Sequence, residues 1–167
     1  MSSVSAQQID KKVLDDDLIQ PFIEATVNVL KMMAGIDPLP QPPRLKTTHE
    51  AYGDITAIIG MAGDSVKGSF AVSFTEPCIL EIMSNMLGEE IKALSRDVSD
   101  GVGEITNIII GGAKAQLAEK GHVIGMAIPT VVSGKGHSVE HVTEQPVTLV
   151  PFETPAGPFF IEVSLIV

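Results

Sequence analysis

The stretch from Asp97 to Lys120 constrains the fold more than any other part of the chain, because it reads as one long helix with a single apolar face. Val102, Ile105, Ile109, Ala113 and Leu117 recur at helical spacing and need a surface to lie on. Gly121 follows the last periodic residue, with Lys120 in the final turn, so the spacing predicts a stop there. Asp97, Ser99 and Asp100 offer acceptors to the open N–H groups at the start.

The opposite face is unusual. Asp100, Glu104, Asn107 and Gly111 follow steps of four, three and four, which stack on one stripe. Glu104 and Asn107 are neighbours one turn apart, a fixed carboxylate beside a fixed carboxamide. The first can pair with a cation and the second can hold a water. Asn is a poor helix former, so a role other than helix formation is expected for Asn107. Gly111 and Gly112 each cost about 1 kcal/mol relative to Ala in mid-helix. They leave a smooth patch beside Asn107 that another backbone could approach. The plain alternative is a solvated face whose glycines serve internal packing.

Composition limits what such a helix can serve. At 44% hydrophobic and 19% charged residues, the 167-residue chain is globular and long enough for one domain. It has no Trp, one Tyr and six Phe, so its core must come from Ile, Val, Leu, Met and Ala. A net charge of −10 with no Lys or Arg run argues against nucleic acid and anionic membranes as partners. The single Cys78 excludes an internal disulfide. The opening residues lack a signal-peptide core and no run is long enough to span a membrane, so the expected location is cytoplasmic.

Residues 1–14 read as a flexible polar arm and 15–167 as one domain. Asp15, Asp16 and Asp17 open a first helix, with Pro21 near its first turn, a stripe of Phe22, Ile23, Thr26, Val27, Leu30 and Met33, and Gly35 at its end. A stiff connector with Pro38, Pro40, Pro42 and Pro43 follows. Strands are expected over Leu45–Ala51, Ile55–Met61 and Val66–Phe74, the last two joined by a turn at Gly63-Asp64-Ser65. Thr75 should cap a second helix that ends at Gly88. Beyond Gly121 four strands are expected. They are His122–Gly134 interrupted by Pro129, Ser138–Thr143, Pro146–Glu153 and Phe159–Val167, arranged as an antiparallel meander. Two sets of strands separated by two helices indicate an α+β fold: an antiparallel sheet with helices on one face.

The run DGVGEITNIIIGGAKAQLAEKG, the opening QPFIEATVNVLKMMAG and the order of elements resemble the CheX branch of the CheC–CheX–FliY phosphatase family. Asp100, Glu104 and Asn107 match the family's helix motif in place, and Pro129 follows Asn107 after 21 intervening residues. Glu24 and Asn28 are four apart and do not repeat the motif, so one site is expected. The resemblance implies hydrolysis of the phosphoaspartate of a CheY-type receiver domain in chemotaxis or two-component signalling. It assigns Asn107 to the attacking water and Glu104 to the receiver's lysine. Asp100 would support Glu104's turn, with Gly111, Gly112 and Pro129 as further supporting or partner-binding positions. No cofactor of its own is implied, since Mg²⁺ comes with the receiver. A non-catalytic module that docks a receiver or flagellar-switch component through the same helix is the alternative.

CheX-like proteins resemble dimers built through their sheets, and the apolar final segment PFFIEVSLIV would offer an uncovered edge for a homodimer. His137 and His141, with Glu140 and Glu144, could mimic a metal site, but strand spacing would hold the two rings about 13 Å apart. Cys78 lacks an evident base for a nucleophile's role.

Overall fold

The computed structural model describes residues 12–167. Among these, three helices lie on one face of one antiparallel sheet. The helices are α1 (Asp16–Ala34), α2 (Glu76–Leu87) and α3 (Arg96–Glu119). The strands are β1 (Leu39–Pro40), β2 (Arg44–Leu45), β3 (Ile55–Ala62), β4 (Lys67–Phe74), β5 (Gly125–Met126), β6 (Thr130–Ser133), β7 (Thr148–Glu153) and β8 (Phe159–Ile166). Their order is β1-β7-β8-β4-β3-β5, with β2 also on β7 and β6 also on β3. The expected one-sided α+β arrangement is therefore present.

Period-two alternation divides the sheet into two faces. Phe70, Val72 and Phe74 of β4 stand opposite Val163, Ile161 and Phe159 of β8, and all six join the helices in one buried cluster. Stacking of Phe152 on Phe159 at 4.7 Å and of Phe22 on Phe70 at 5.7 Å fills the places that Trp and Tyr would otherwise take. The alternate residues Ser69, Ser73, Glu162 and Ser164 turn to the back, where they are buried but polar.

Two irregular segments cover that back face, and each was expected to be a strand. Leu45–Ala51 contributes only Leu45 to the sheet, and residues 138–143 form no strand; a lone bridge joins Glu50 to Ser138. Polar side chains from 137–143 bond to the sheet's hydroxyls, and Lys46 to the Glu162 carboxylate, instead of lengthening a ladder. His137 Nε2 lies 2.6 Å from Thr56 Oγ1, and His141 Nδ1 lies 2.7 Å from Ser69 Oγ. Thr143 and Ser164 are 2.7 Å apart.

Several other expectations change. The final strand β8 lies between β4 and β7 and offers no free edge. The run from His122 to Gly134 splits into β5 and β6 around Pro129, both on β3, so the later strands form no meander. The proline connector is anchored twice to β7, through Leu39–Pro40 and Arg44–Leu45. The hydroxyl of Thr75 donates to the Pro158 carbonyl, while the Asp54 carboxylate accepts from the Glu76 N–H at 2.7 Å and caps α2. Pro21 sits past the first turn of α1, and the Asp17 carbonyl that it cannot satisfy accepts from Lys120 Nζ at 2.8 Å.

Of the expected arm 1–14, residues 1–11 lie outside the described residues. Leu14 is docked: it packs on the core and its N–H donates to Thr148 Oγ1.

Candidate functional site

Helix α3 is a fixed platform. Val98, Val102, Ile105, Thr106, Ile109, Ile110, Ala113 and Leu117 are buried, and the Thr106 hydroxyl donates back to the Val102 carbonyl. The start is capped by Ser95, whose side chain accepts from Val98 N–H, and not by Asp97, Ser99 or Asp100. Ser95 is the better cap because its backbone is extended just before Arg96, whereas the three expected residues already lie inside the helix.

The stripe predicted from spacing faces outward. Asp100 and Glu104 are exposed and Asn107 is half-buried. Among the described residues, the side chains of Glu104 and Asn107 take part in no hydrogen bond or ion pair. Asp100, one turn before Glu104, makes none either, so it neither caps the helix nor hydrogen-bonds to its neighbour. An acid and an amide are thus held by a buried helix while their own polar atoms stay available.

The two glycines separate. A side chain on Gly111 would meet nothing within 4 Å, so this position is open to a close approach. A Cβ on Gly112 would come within 3.2 Å of Ala25 Cβ, so its smallness already serves the packing of α1 on α3. The sequence left two other glycines unread. Gly101 lies against the Met83 side chain, and Gly103 faces Val131 and Pro129, whose atoms stand 3.7 and 3.9 Å from where its Cβ would be. Pro129 therefore sits beside α3 at the turn below Asn107, which brings the expected partner-binding proline to the site.

Two grooves lie away from this stripe. A groove of about 600 Å³ on the back of the sheet is bordered by Lys46, His141, Thr143 and Glu162, and another of about 490 Å³ by Gly35, Glu81, Asn85 and Thr154. Neither includes Glu104 or Asn107. Small ligands favour concavities, but a helix that inserts into another protein's pocket must itself be convex, and the outward stripe of α3 has that shape. In the larger groove Lys46 Nζ lies 2.9 Å from both carboxylate oxygens of Glu162, whose Oε1 also meets His141 Nε2 at 3.1 Å. Ser69, His141 and Glu162 form a chain, yet Ser69 is wholly buried and its oxygen also accepts from Val142 N–H, so it is no accessible nucleophile. His137 and His141 both turn onto sheet hydroxyls, and among the described residues no group of three His, Cys, Asp or Glu could hold a metal. Burial pushes the Cys78 thiol up to about 11, against a smaller lowering by its contact with Thr154. No described helix is long and apolar enough to cross a membrane.

One antiparallel sheet, three helices on one face and an outward acid–amide pair on the longest define an α+β protein of the CheC-like class. The chain is 42% identical to a CheC-like superfamily protein from Shewanella sp. PV-4, over 92% of this chain and 100% of that one, with a TM-score of 0.86. It is 45% identical to the chemotaxis protein CheX from Vibrio vulnificus over 90% of this chain and 99% of that one, with a TM-score of 0.85. The family described as chemotaxis phosphatase CheX matches residues 55–153. The chain belongs to the CheX family. A more distant fold relative is the CheX of Borrelia burgdorferi, whose structure is a complex with CheY, BeF3 and Mg²⁺. It is 24% identical over 90% of this chain and 99% of that one, with a TM-score of 0.71. Among curated proteins, none matches the chain significantly.

Proposed function

We propose that the chain is a cytoplasmic phosphatase that hydrolyses the phosphoaspartate of a CheY-type receiver domain in chemotaxis. The carrying observation is the pair Glu104 and Asn107, fixed one turn apart on a helix whose other face is buried, with no hydrogen bond or ion pair to either side chain among the described residues. The acyl phosphate and its Mg²⁺ belong to the receiver. Phosphoryl transfer then needs mainly positioning and charge stabilisation. The Asn107 amide oxygen accepts a hydrogen bond from water and turns its lone pair toward phosphorus. The water oxygen forms a new bond to phosphorus as the P–O bond to the receiver's aspartate breaks, and the water's proton passes to the departing phosphate, leaving inorganic phosphate and the free carboxylate. Glu104 pairs with the receiver's lysine and sets the depth of insertion. Gly111 gives the receiver's loops room beside the helix, and Pro129 steadies the neighbouring wall. The Borrelia complex supports the choice of partner, since a related fold holds CheY in the presence of BeF3 and Mg²⁺.

The homodimer belongs to the same proposal, but its support has moved. With β8 interior, a second copy can extend the sheet only at its outer strands, β1–β2 or β5–β6. Sedimentation at micromolar concentration decides between a 17.7 kDa species and its dimer. The phosphatase is tested by the decay of a phosphorylated receiver with and without the protein. Acceleration at substoichiometric protein supports it, and unchanged decay with tight binding makes the chain a docking module.

A further inference from the structure

We propose that Ile128 is the apolar anchor by which the receiver domain is recognised, an inference that rests on the receiver being the partner. From Val123 to Gly134 the chain has no charged side chain, although the protein as a whole carries −10. Ile128 is 89% exposed, and Val123 and Met126 are also open to solvent, so the apolar positions form a run and not an isolated residue. Such charge-free, apolar ground beside a polar feature is the composition of an interface centre.

The run is tied to the site. Pro129 and Val131 pack against α3 at Gly103, and Asn107 is one turn beyond Gly103 on the same side of the helix. Ile128, directly before Pro129, therefore stands on the wall that flanks Asn107. The exposed stripe of α3 has the opposite character, with Asp97, Asp100 and Glu104 in succession. The surface is thus an acidic ridge beside a neutral apolar wall. It fits a partner that offers a cation bordered by apolar surface. A receiver meets this with its lysine and Mg²⁺ at the rim of the phosphorylated pocket.

A second copy fits the same wall poorly. The edge there is two short strands broken by Pro129, which has no N–H to donate to an added strand. A two-fold contact there would also bring two acidic ridges toward each other.

The test compares Ile128→Ser and Ile128→Leu with the unaltered protein. Calorimetry measures affinity for a CheY-type receiver loaded with Mg²⁺ and beryllofluoride, and steady-state hydrolysis uses the phosphorylated receiver. Ile128→Ser should weaken affinity and raise KM at least tenfold with kcat within twofold, while Ile128→Leu stays near the unaltered protein. Asn107→Ala should do the reverse, losing kcat and keeping affinity. Unchanged affinity in Ile128→Ser overturns the anchor. So does a shift from dimer to monomer in sedimentation without loss of receiver affinity, which would give the wall to a second copy. If the unaltered protein binds the receiver without hydrolysing it, the phosphatase reading fails, and the affinity loss in Ile128→Ser still supports the anchor. If it does not bind, both fail.

Discussion

Lys46 Nζ lies 2.9 Å from each carboxylate oxygen of Glu162, with the two side chains 2% and 1% exposed. This pair ties a segment that leaves the sheet after Leu45 to the middle of β8. Lys46→Met should therefore leave a buried carboxylate facing only His141, at a cost of about 3–5 kcal/mol. Urea unfolding monitored by circular dichroism would show the loss as a lower midpoint at an unchanged slope. A change below about 1 kcal/mol, the range of exposed pairs, would show the pair to be solvated.

Asn107→Ala should reduce receiver dephosphorylation by roughly 10²–10³, about 3–4 kcal/mol in the barrier, while the fold and receiver affinity persist. In the proposed reaction the amide acts on the attacking water alone, and among the described residues its side chain has no hydrogen bond to lose. Full turnover by the variant, measured by phosphate release, would remove Asn107 from the mechanism.

Glu104→Gln separates charge from shape. The neutral isostere should lose both affinity and turnover, because the carboxylate is assigned to docking as well as alignment. Salt should weaken binding by the unaltered protein only in part, since the pair with the receiver's lysine becomes desolvated. Titrations across ionic strength would test this, and unchanged binding and rate in Glu104→Gln would exclude the residue from the site.

Asp54→Ala should cost about 1 kcal/mol by leaving the Glu76 N–H at the start of α2 without its acceptor. Asp54→Asn should recover most of that. Equal stability of all three proteins in thermal melts would show that water serves as well.

Cys78 should resist thiol reagents at pH 8 in the folded protein and react at once in denaturant, because it is buried and its thiol is pushed up to about 11. The folded value lies above the ordinary 9.0, so the associated stability is complete below pH 9 and is lost as pH rises toward 11. A two-unit shift sets the ceiling of that loss at roughly 3 kcal/mol. Rapid labelling of the native protein at pH 8 would contradict this.

The parts of the fold legible in sequence were those governed by one strong periodicity. Helical spacing from Val102 to Leu117 located α3 to within a residue, and the alternation Phe70, Val72, Phe74 located β4. The stripe of Asp100, Glu104 and Asn107 followed from the same arithmetic. What failed depended on contacts distant in sequence. Residues 138–143 look like a strand, but His141 is held by Ser69 and Glu162 across the sheet. Thr75 looks like a cap, but its hydroxyl donates to the Pro158 carbonyl, and Asp54, distant in sequence, accepts from the first N–H of α2. The apolar character of β8 reads equally as an exposed edge or as a strand buried between two others. Gly103 and Ile128 carry no local signal, because the packing of the first and the proposed role of the second arise only where Pro129 meets α3.

The interior position of β8 has a consequence for synthesis. Its partner β4 precedes α3 in the chain and β8 itself follows it, so Phe74 waits for Phe159 and Lys67 for Ile166. The ribosome delivers the segment of α3, Glu104 and Asn107 included, before the strands that complete the sheet beneath it exist. Until residues 159–166 emerge, the apolar side of that helix has only a partial floor, and the nascent chain must be kept from pairing β4 elsewhere. Pairings so remote in sequence also slow folding. A chain stopped short of β8 should therefore be captured by chaperones or degraded, and should not persist as a partly competent receiver binder.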